Sequence, residues 1–184
     1  MGHHRVLGKT IDFITGREIT DTDDERYRQK IARLLVERKG YEKTDIEIRR
    51  KFHLLINGET VPTFVDFVVS VDGRPLMLIK YGPGSLVTRE RPALACSRLI
   101  GPNEIPLTVV TNGEDAEVIA TANASIIATG LEGIPTKEEA LRFDEERESN
   151  PISPERKAIE ERVLAAYDWL EHSSECDSDW CAVD

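Results

Sequence analysis

Hydrophobic and polar positions follow two rhythms along this chain. From Asp21 the run DTDDERYRQKIARLLVERKG opens with acids, sets Tyr27, Ile31, Leu34 and Leu35 at helical spacing, and carries bases late before Gly40. This predicts an amphipathic helix, because acids suit the positive end of the helix dipole and bases the negative end. The period then changes. In DIEIRRKFHLLING, Ile46, Ile48, Phe52 and Leu54 share one parity and Asn57-Gly58 marks a turn, so a half-buried strand is expected. VPTFVDFVVSV reads as a second strand, and Asp72-Gly73 turns it into a third, PLMLIKY.

Beyond Gly82-Pro83-Gly84-Ser85 the pattern predicts a short helix from Arg91 to Ile100, with Pro92 in its opening turn, where a missing N–H is tolerated. IPLTVVTNGEDAEVIAT is a hairpin about Asn112-Gly113, with Ala116, Val118 and Ala120 on one face. Thr136 and Glu139 form a capping box that opens a helix to about Arg147. Ser153-Pro154 opens another helix, aligning Ile159, Val163, Tyr167 and Leu170 in one stripe. Residues 1–20 show no sustained period and stay unassigned, the domain is placed at 21–147 with a C-terminal helix at 148–172, and 173–184 is an acidic tail expected to be loose. Helix, three strands, helix, strands, helices describes an α/β (α+β) domain with a mixed central sheet flanked by helices and a helical C-terminal extension.

Composition narrows the class. The 184 residues, 40% hydrophobic and 32% charged, suffice for one globular core. No apolar run approaches the roughly 18 to 20 residues of a membrane span, and no apolar segment follows Met1, so membrane and secretory roles are set aside. Cys96, Cys176 and Cys181 are too few and scattered for a disulfide framework, which points to the cytoplasm. Net charge is −10, but residues 137–184 hold 15 acids and 6 bases, leaving 19 acids and 18 bases for residues 1–136. Within the nearly neutral part, Arg26 to Lys51 carries 10 bases against 4 acids. That excess permits either a basic face for a phosphate backbone or a solvated helix face.

Asp66 and Lys80 stand inside otherwise apolar strand patterns, where a charge is costly unless it is paired or used. Parity groups Asp66 with Phe64, Val68 and Ser70, and Lys80 with Leu78 and Leu76. An Asp on one strand and an acid-x-Lys on the next is the arrangement of Mg2+-dependent nucleases of the PD-(D/E)xK type. There the two acids share a cation while the Lys meets the scissile phosphate or attacking water.

From about Glu25 to Leu141 the chain resembles the N-terminal nuclease domain of the R subunit of type I restriction enzymes. The resemblance rests on the helix ending Glu37-Arg-Lys-Gly40-Tyr41, the strands carrying Asp66 and Lys80, and the hairpin Val109-Val-Thr-Asn-Gly-Glu-Asp-Ala-Glu-Val118. It implies a restriction-endonuclease-like sheet, DNA as substrate, and Mg2+ if the domain is active. It also implies catalytic roles for Asp66, Lys80 and Glu25, with Asp66 as metal ligand. Two departures stand against activity: the acid expected two residues before Lys80 is Leu78, and the Gln-x-x-x-Tyr of the next helix falls on Pro92 and Cys96. A migrated acid at Glu47, Glu25 or Glu90 would restore a ligand; otherwise Asp66 and Lys80 remain as a buried ion pair on a scaffold that no longer cuts.

Other features give lesser expectations. Arg89 and Arg91, after the Gly-Pro-Gly-Ser turn, are candidates to flank a nucleic-acid path, although no Gly-Lys-Ser/Thr P-loop is present. His172, Cys176 and Cys181 are spaced unlike any common zinc finger. Cys96 reads as an inert buried thiol, His53 as a surface histidine, and Trp169 as packing for the last helix. Two functions compete: a stand-alone nuclease or nuclease-derived domain acting on DNA without a translocating motor, and a regulatory module engaging a protein partner through its acidic C-terminal region.

Overall fold

The computed structural model describes residues 6–56, 59–147 and 151–172. The segment left unassigned contains an antiparallel hairpin, β1 (Val6–Ile11) and β2 (Glu18–Thr22). Its exposed, mixed side chains supply no period to read, and the loop is fixed instead by Asp12, whose Oδ1 accepts the N–H groups of Ile14 at 3.1 Å and Thr15 at 2.7 Å. Thr22 ends β2 and caps α1 (Asp23–Glu37), its Oγ1 accepting the Glu25 N–H at 3.1 Å. The helix therefore starts two residues later than its acids suggest, because Asp21 and Thr22 pair with β1. On the inner face of α1, Ile31 and Leu35 are fully buried, worth about 2 kcal/mol each.

The main sheet has six strands in the order β3 (Ile46–Ile56), β4 (Glu59–Val71), β5 (Arg74–Tyr81), β6 (Leu107–Thr111), β7 (Ala116–Ala120), β8 (Ser125–Thr129). Asp72 and Gly73, both at positive φ, make the β4–β5 turn. Only β5 and β6 run parallel, and that pairing needs a crossover, provided by α2 (Val87–Leu99). This helix begins four residues before the expected Arg91, so Pro92 lies inside it rather than in its opening turn. Packing outweighs the lost backbone bond, since Pro92 through Arg98 are all buried. β8 has no counterpart in the sequence reading. It is an edge strand with Ile126 and Ile127 both exposed, so burial imposes no alternation on it.

Helices cover both faces. One core joins Ile31 and Leu35 of α1 and Ala140 of α3 (Lys137–Glu146) to Phe67, Val69 and Ile79. The other joins Ala95 and Cys96 of α2 and Leu164 of α4 (Pro154–His172) to Val65, Val68 and Leu78. The capping box at Thr136 and Glu139 opens α3 as expected. In α4 the docked face differs from the expected stripe: Ile159 is 40% exposed, whereas Glu160 and Leu164 are buried. On that face Glu160 is ion-paired to Arg98 of α2 at 2.8 Å, and Val163 of the expected stripe packs at the edge of the core that holds Leu164. The Asn57-Gly58 turn, Cys176, Cys181, Trp180 and the acidic tail lie outside the described residues, as do the side chains of Leu54, Trp169, Leu170 and His172.

Alternation along β3 and β4 reverses at one level of the sheet. Ile46 and Ile48 pack on the α1 side, yet Phe52 packs on the α2 and α4 side. On β4, Phe67 faces α1 while Val65 faces α2. The reversal sits where Arg49, at φ 51°, stands opposite Asp66 between the pairs Ile48–Phe67 and Arg50–Val65. A left-handed residue in a strand breaks the two-residue period, so parity could not place Asp66. A register shift after Val69 likewise separates Leu76, in the α1-side core, from Leu78 in the other.

Candidate active site

Asp66 is 6% exposed and its carboxylate turns toward α1, away from the core of Val68. Its Oδ1 accepts from Arg28 Nε at 2.6 Å, and its Oδ2 accepts the backbone N–H of Tyr81 at 2.7 Å. Glu25, three residues before Arg28 on the same helix, is also buried. It accepts from Gln29 Nε2 at 2.8 Å and from Arg49 Nη2, and its Oε2 lies 3.9 Å from Arg28 Nη1. Arg28 thus bridges the two acids. Its guanidinium also stacks 5.0 Å from the Tyr81 ring centroid. Burial works against that charge, but Asp66 first, then Glu25 and Asp24, outweigh it and raise the Arg28 pKa.

Further groups hold this centre. Gln29 ties it to the N-terminal hairpin, donating to Asp12 Oδ2 at 2.7 Å and accepting the Phe13 N–H at 2.7 Å. Burial alone would push the Asp12 carboxyl up, but the Thr15 N–H, Gln29, the Thr15 hydroxyl and Arg49 together bring it below 3.8. Tyr81 donates its hydroxyl to Asp24 at 3.0 Å, and burial, then that bond, raises its pKa well above 10. Tyr27 stacks on Tyr81 at 6.0 Å and lies over Gly113 of the β6–β7 turn. All of this gathers at the carboxyl end of β5, beside its parallel neighbour β6, where open α/β sheets place ligands.

The other expected residues distribute unevenly. Lys80 is half-buried and donates to the Phe64 carbonyl at 3.1 Å, one strand away. Arg89 folds over Gly82, so that a methyl group there would sit 2.1 Å from Arg89 Cζ, and donates to the Pro83 carbonyl at 3.1 Å. Arg91 turns to α4, with Nη1 3.2 Å from Glu160 Oε2. Among the acids considered as replacements for the one missing at Leu78, Glu47 pairs with Arg50 at the surface. Glu90 lies against Glu117, whose pKa rises through burial and then this neighbour. Glu25 is the acid that shares Arg28 with Asp66. His53 is exposed and Cys96 buried, as expected. The sequence reading missed Arg28 and Arg49, which look like ordinary members of a basic run, and Asp12, which sits in an aperiodic segment. The available signal was the Glu25–Arg28 spacing, which puts both on one helix face.

The family model for the type I restriction enzyme R protein N terminus matches residues 23–135. The chain belongs to that family. No curated protein and no solved structure matches it.

The matched span of this R-protein N-terminal domain contains α1, the whole six-stranded sheet and α2, and leaves α4 outside. The family suggests a divalent cation, and the donors present do not fit one. Leu78, two residues before Lys80, is buried in the α2-side core and offers no oxygen. The carboxylates of Asp66 and Glu25 are engaged by guanidinium groups. Among the described residues no group of three or more His, Cys, Asp or Glu side chains is placed to hold a metal ion. A hard cation prefers several charged oxygens, and this domain presents its two acids to arginines instead.

Proposed function

We propose that this domain is a nuclease-derived module that associates with DNA and in which Mg2+-dependent phosphodiester cleavage is lost or reduced to a trace. The observation that carries this reading is the Arg28 bridge between Asp66 and Glu25, which sets a fixed positive charge where a cutting site would need a metal ion. A guanidinium neutralises carboxylates but cannot lower the pKa of a bound water as a divalent ion does. The DNA part is supported by family membership and by Lys80 and Arg89, both at the carboxyl end of β5. A role on DNA would place the protein in the cytoplasm, and no described helix is long and apolar enough to cross a membrane.

The test uses supercoiled plasmid and single-stranded DNA with Mg2+ or Mn2+, beside Asp66→Ala and Lys80→Ala variants, together with DNA binding at several salt concentrations. No cleavage above the blank and affinity that falls with salt are expected; a Lys80→Ala, Arg89→Ala variant lowers the logarithmic salt slope by about 1 per lost phosphate contact. Cleavage by the parent that both single variants abolish overturns the reading.

A second reading is favoured by β8, an edge strand without a charged residue whose Ile126 and Ile127 face solvent. Natural sheets usually protect such edges, and an open one suits pairing with another chain. Under that reading the domain is a protein-binding or regulatory module, and DNA binding is absent or insensitive to salt.

A further inference from the structure

Three arginines close on one carboxylate where α2 meets α4. Glu160 is fully buried, and its Oε1 accepts from Arg98 Nη1 at 2.8 Å and from Arg156 Nε at 2.6 Å. Arg91 Nη1 completes the set, 3.4 Å from Oε1 and 3.2 Å from Oε2. We propose that Arg91 and Arg156 form a binding site for a phosphate group at the junction of α2 and α4, with Glu160 and Arg98 as its fixed base. The site lies on the face of the sheet opposite α1, and it uses α4, which the family match leaves outside. The inference goes beyond the DNA reading, because free phosphate suits the same donors as a DNA backbone.

Charge is out of balance at this junction. Glu160 supplies one negative charge to three guanidinium groups, none of which loses its proton near neutral pH. The neighbouring acids are engaged with other groups. Glu90 lies against Glu117, Glu104 is shared between Arg98 and Arg147, and Glu155 is held by the Ser153 hydroxyl at the surface. Arg98 registers the excess: burial first, and then Arg156 against the pull of Glu160, lower its pKa.

The two outer arginines are positioned and still open. Their side chains are 39% and 45% exposed, against 2% for Arg98. Both reach the same Glu160 oxygen, so their guanidinium groups are neighbours. Each spends one nitrogen on Glu160, and among the described residues its other guanidinium nitrogens meet no protein acceptor. A guanidinium already pinned by a carboxylate gives up less side-chain freedom on binding, and its fork matches phosphate oxygens. Arg156 also stands in the first turn of α4, at the positive end of the helix dipole, where a cation is disfavoured and an anion favoured. A phosphate between the two arginines relieves both repulsions.

The experiment has two arms on the full chain. Thermal unfolding is compared in sodium phosphate and in sodium chloride of equal ionic strength, and binding of a short duplex with 5′-hydroxyl ends is measured at several salt concentrations. The variants are Arg91→Gln with Arg156→Gln, and a control of equal charge loss on exposed positions of α4, Lys157→Gln with Arg162→Gln. A melting temperature raised by phosphate, with affinity weakened about tenfold or more in the first pair and kept in the control, supports the site with free phosphate as its source. A logarithmic salt slope for DNA that falls by about 1 in the first pair alone supports it with a backbone phosphate as the source. If the first pair fails to fold, the Nε–Hε resonances of Arg91 and Arg156 in the parent decide, and they are expected to shift with phosphate or duplex. Resonances that stay in place, neither arm responding to the first pair, or a control that loses as much each overturn the proposal. A parent that responds to phosphate but does not bind DNA overturns the functional reading alone. Salt-dependent DNA binding indifferent to both arginines, with no response to phosphate, overturns this inference alone.

Discussion

Arg28 Nε donates to Asp66 Oδ1 across 2.6 Å, joining the second turn of α1 to the middle of β4. Both side chains are mostly removed from water, at 16% and 7% exposure. Breaking one partner of such a pair strands the other charge. Arg28→Ala is therefore expected to cost about 3 kcal/mol in urea unfolding, and Arg28→Lys to recover only part of it, because an ammonium lacks the fork that serves Asp66 and Glu25 together. Full stability in Arg28→Ala would show that the bridge is ornamental.

Stability in acid follows Asp12. Its folded pKa lies below the unperturbed value of 3.8, so its contribution is complete above that value and disappears as pH falls through the lower folded one. Melting temperature measured from pH 5 to pH 2 should drop through this window. Asp12→Asn should flatten the drop and lower stability at pH 7 by about 1 to 2 kcal/mol, because an amide cannot accept from both Thr15 and Gln29.

Gly113 answers to two constraints and Gly73 to one. Each has positive φ, 85° and 75° respectively, but a methyl group on Gly113 would sit 2.3 Å from Tyr27 Cδ1, whereas one on Gly73 meets nothing within 4 Å. Gly73→Ala should cost about 1 kcal/mol for the backbone alone. Gly113→Ala should cost about 1 to 3 kcal/mol more, since the Tyr27 ring must move. Equal losses in chemical denaturation would count against the Tyr27 contact.

Glu160 anchors α4. It is fully buried, with Oε1 accepting from Arg98 Nη1 at 2.8 Å and from Arg156 Nε at 2.6 Å. Glu160→Ala leaves Arg98, itself 2% exposed, without this carboxylate, a loss of about 3 to 5 kcal/mol. Hydrogen exchange should then rise first across Pro154–His172; protection unchanged in that helix would refute the anchor.

Much of the fold was legible from local turn, cap and apolar signals, even where the side-chain alternation within a strand later reverses. The three consecutive strands, the β6–β7 hairpin, α1 and the capped start of α3 are each signalled by neighbours a few residues apart. β1 and β8 were illegible because their side chains are mostly exposed, and β2 because its side chains are half-buried without alternating, so burial imposes no period on any of them. The early start of α2 was hidden by Pro92, whose local cost is overridden by the helix's buried packing.

Sequence alone determined the family, the order of α1, β3 to β5, α2, β6 and β7, and the absence of an acid at Leu78, because each is written in residue types at fixed spacing. Only the tertiary structure decided what surrounds Asp66. Parity along β4 points it with Val68, but the left-handed Arg49 on the neighbouring strand reverses the alternation and sends the carboxylate to α1. There it meets Arg28, 38 residues away along the chain. A charge pair of that reach depends on how strands twist and helices dock, and no local period records either.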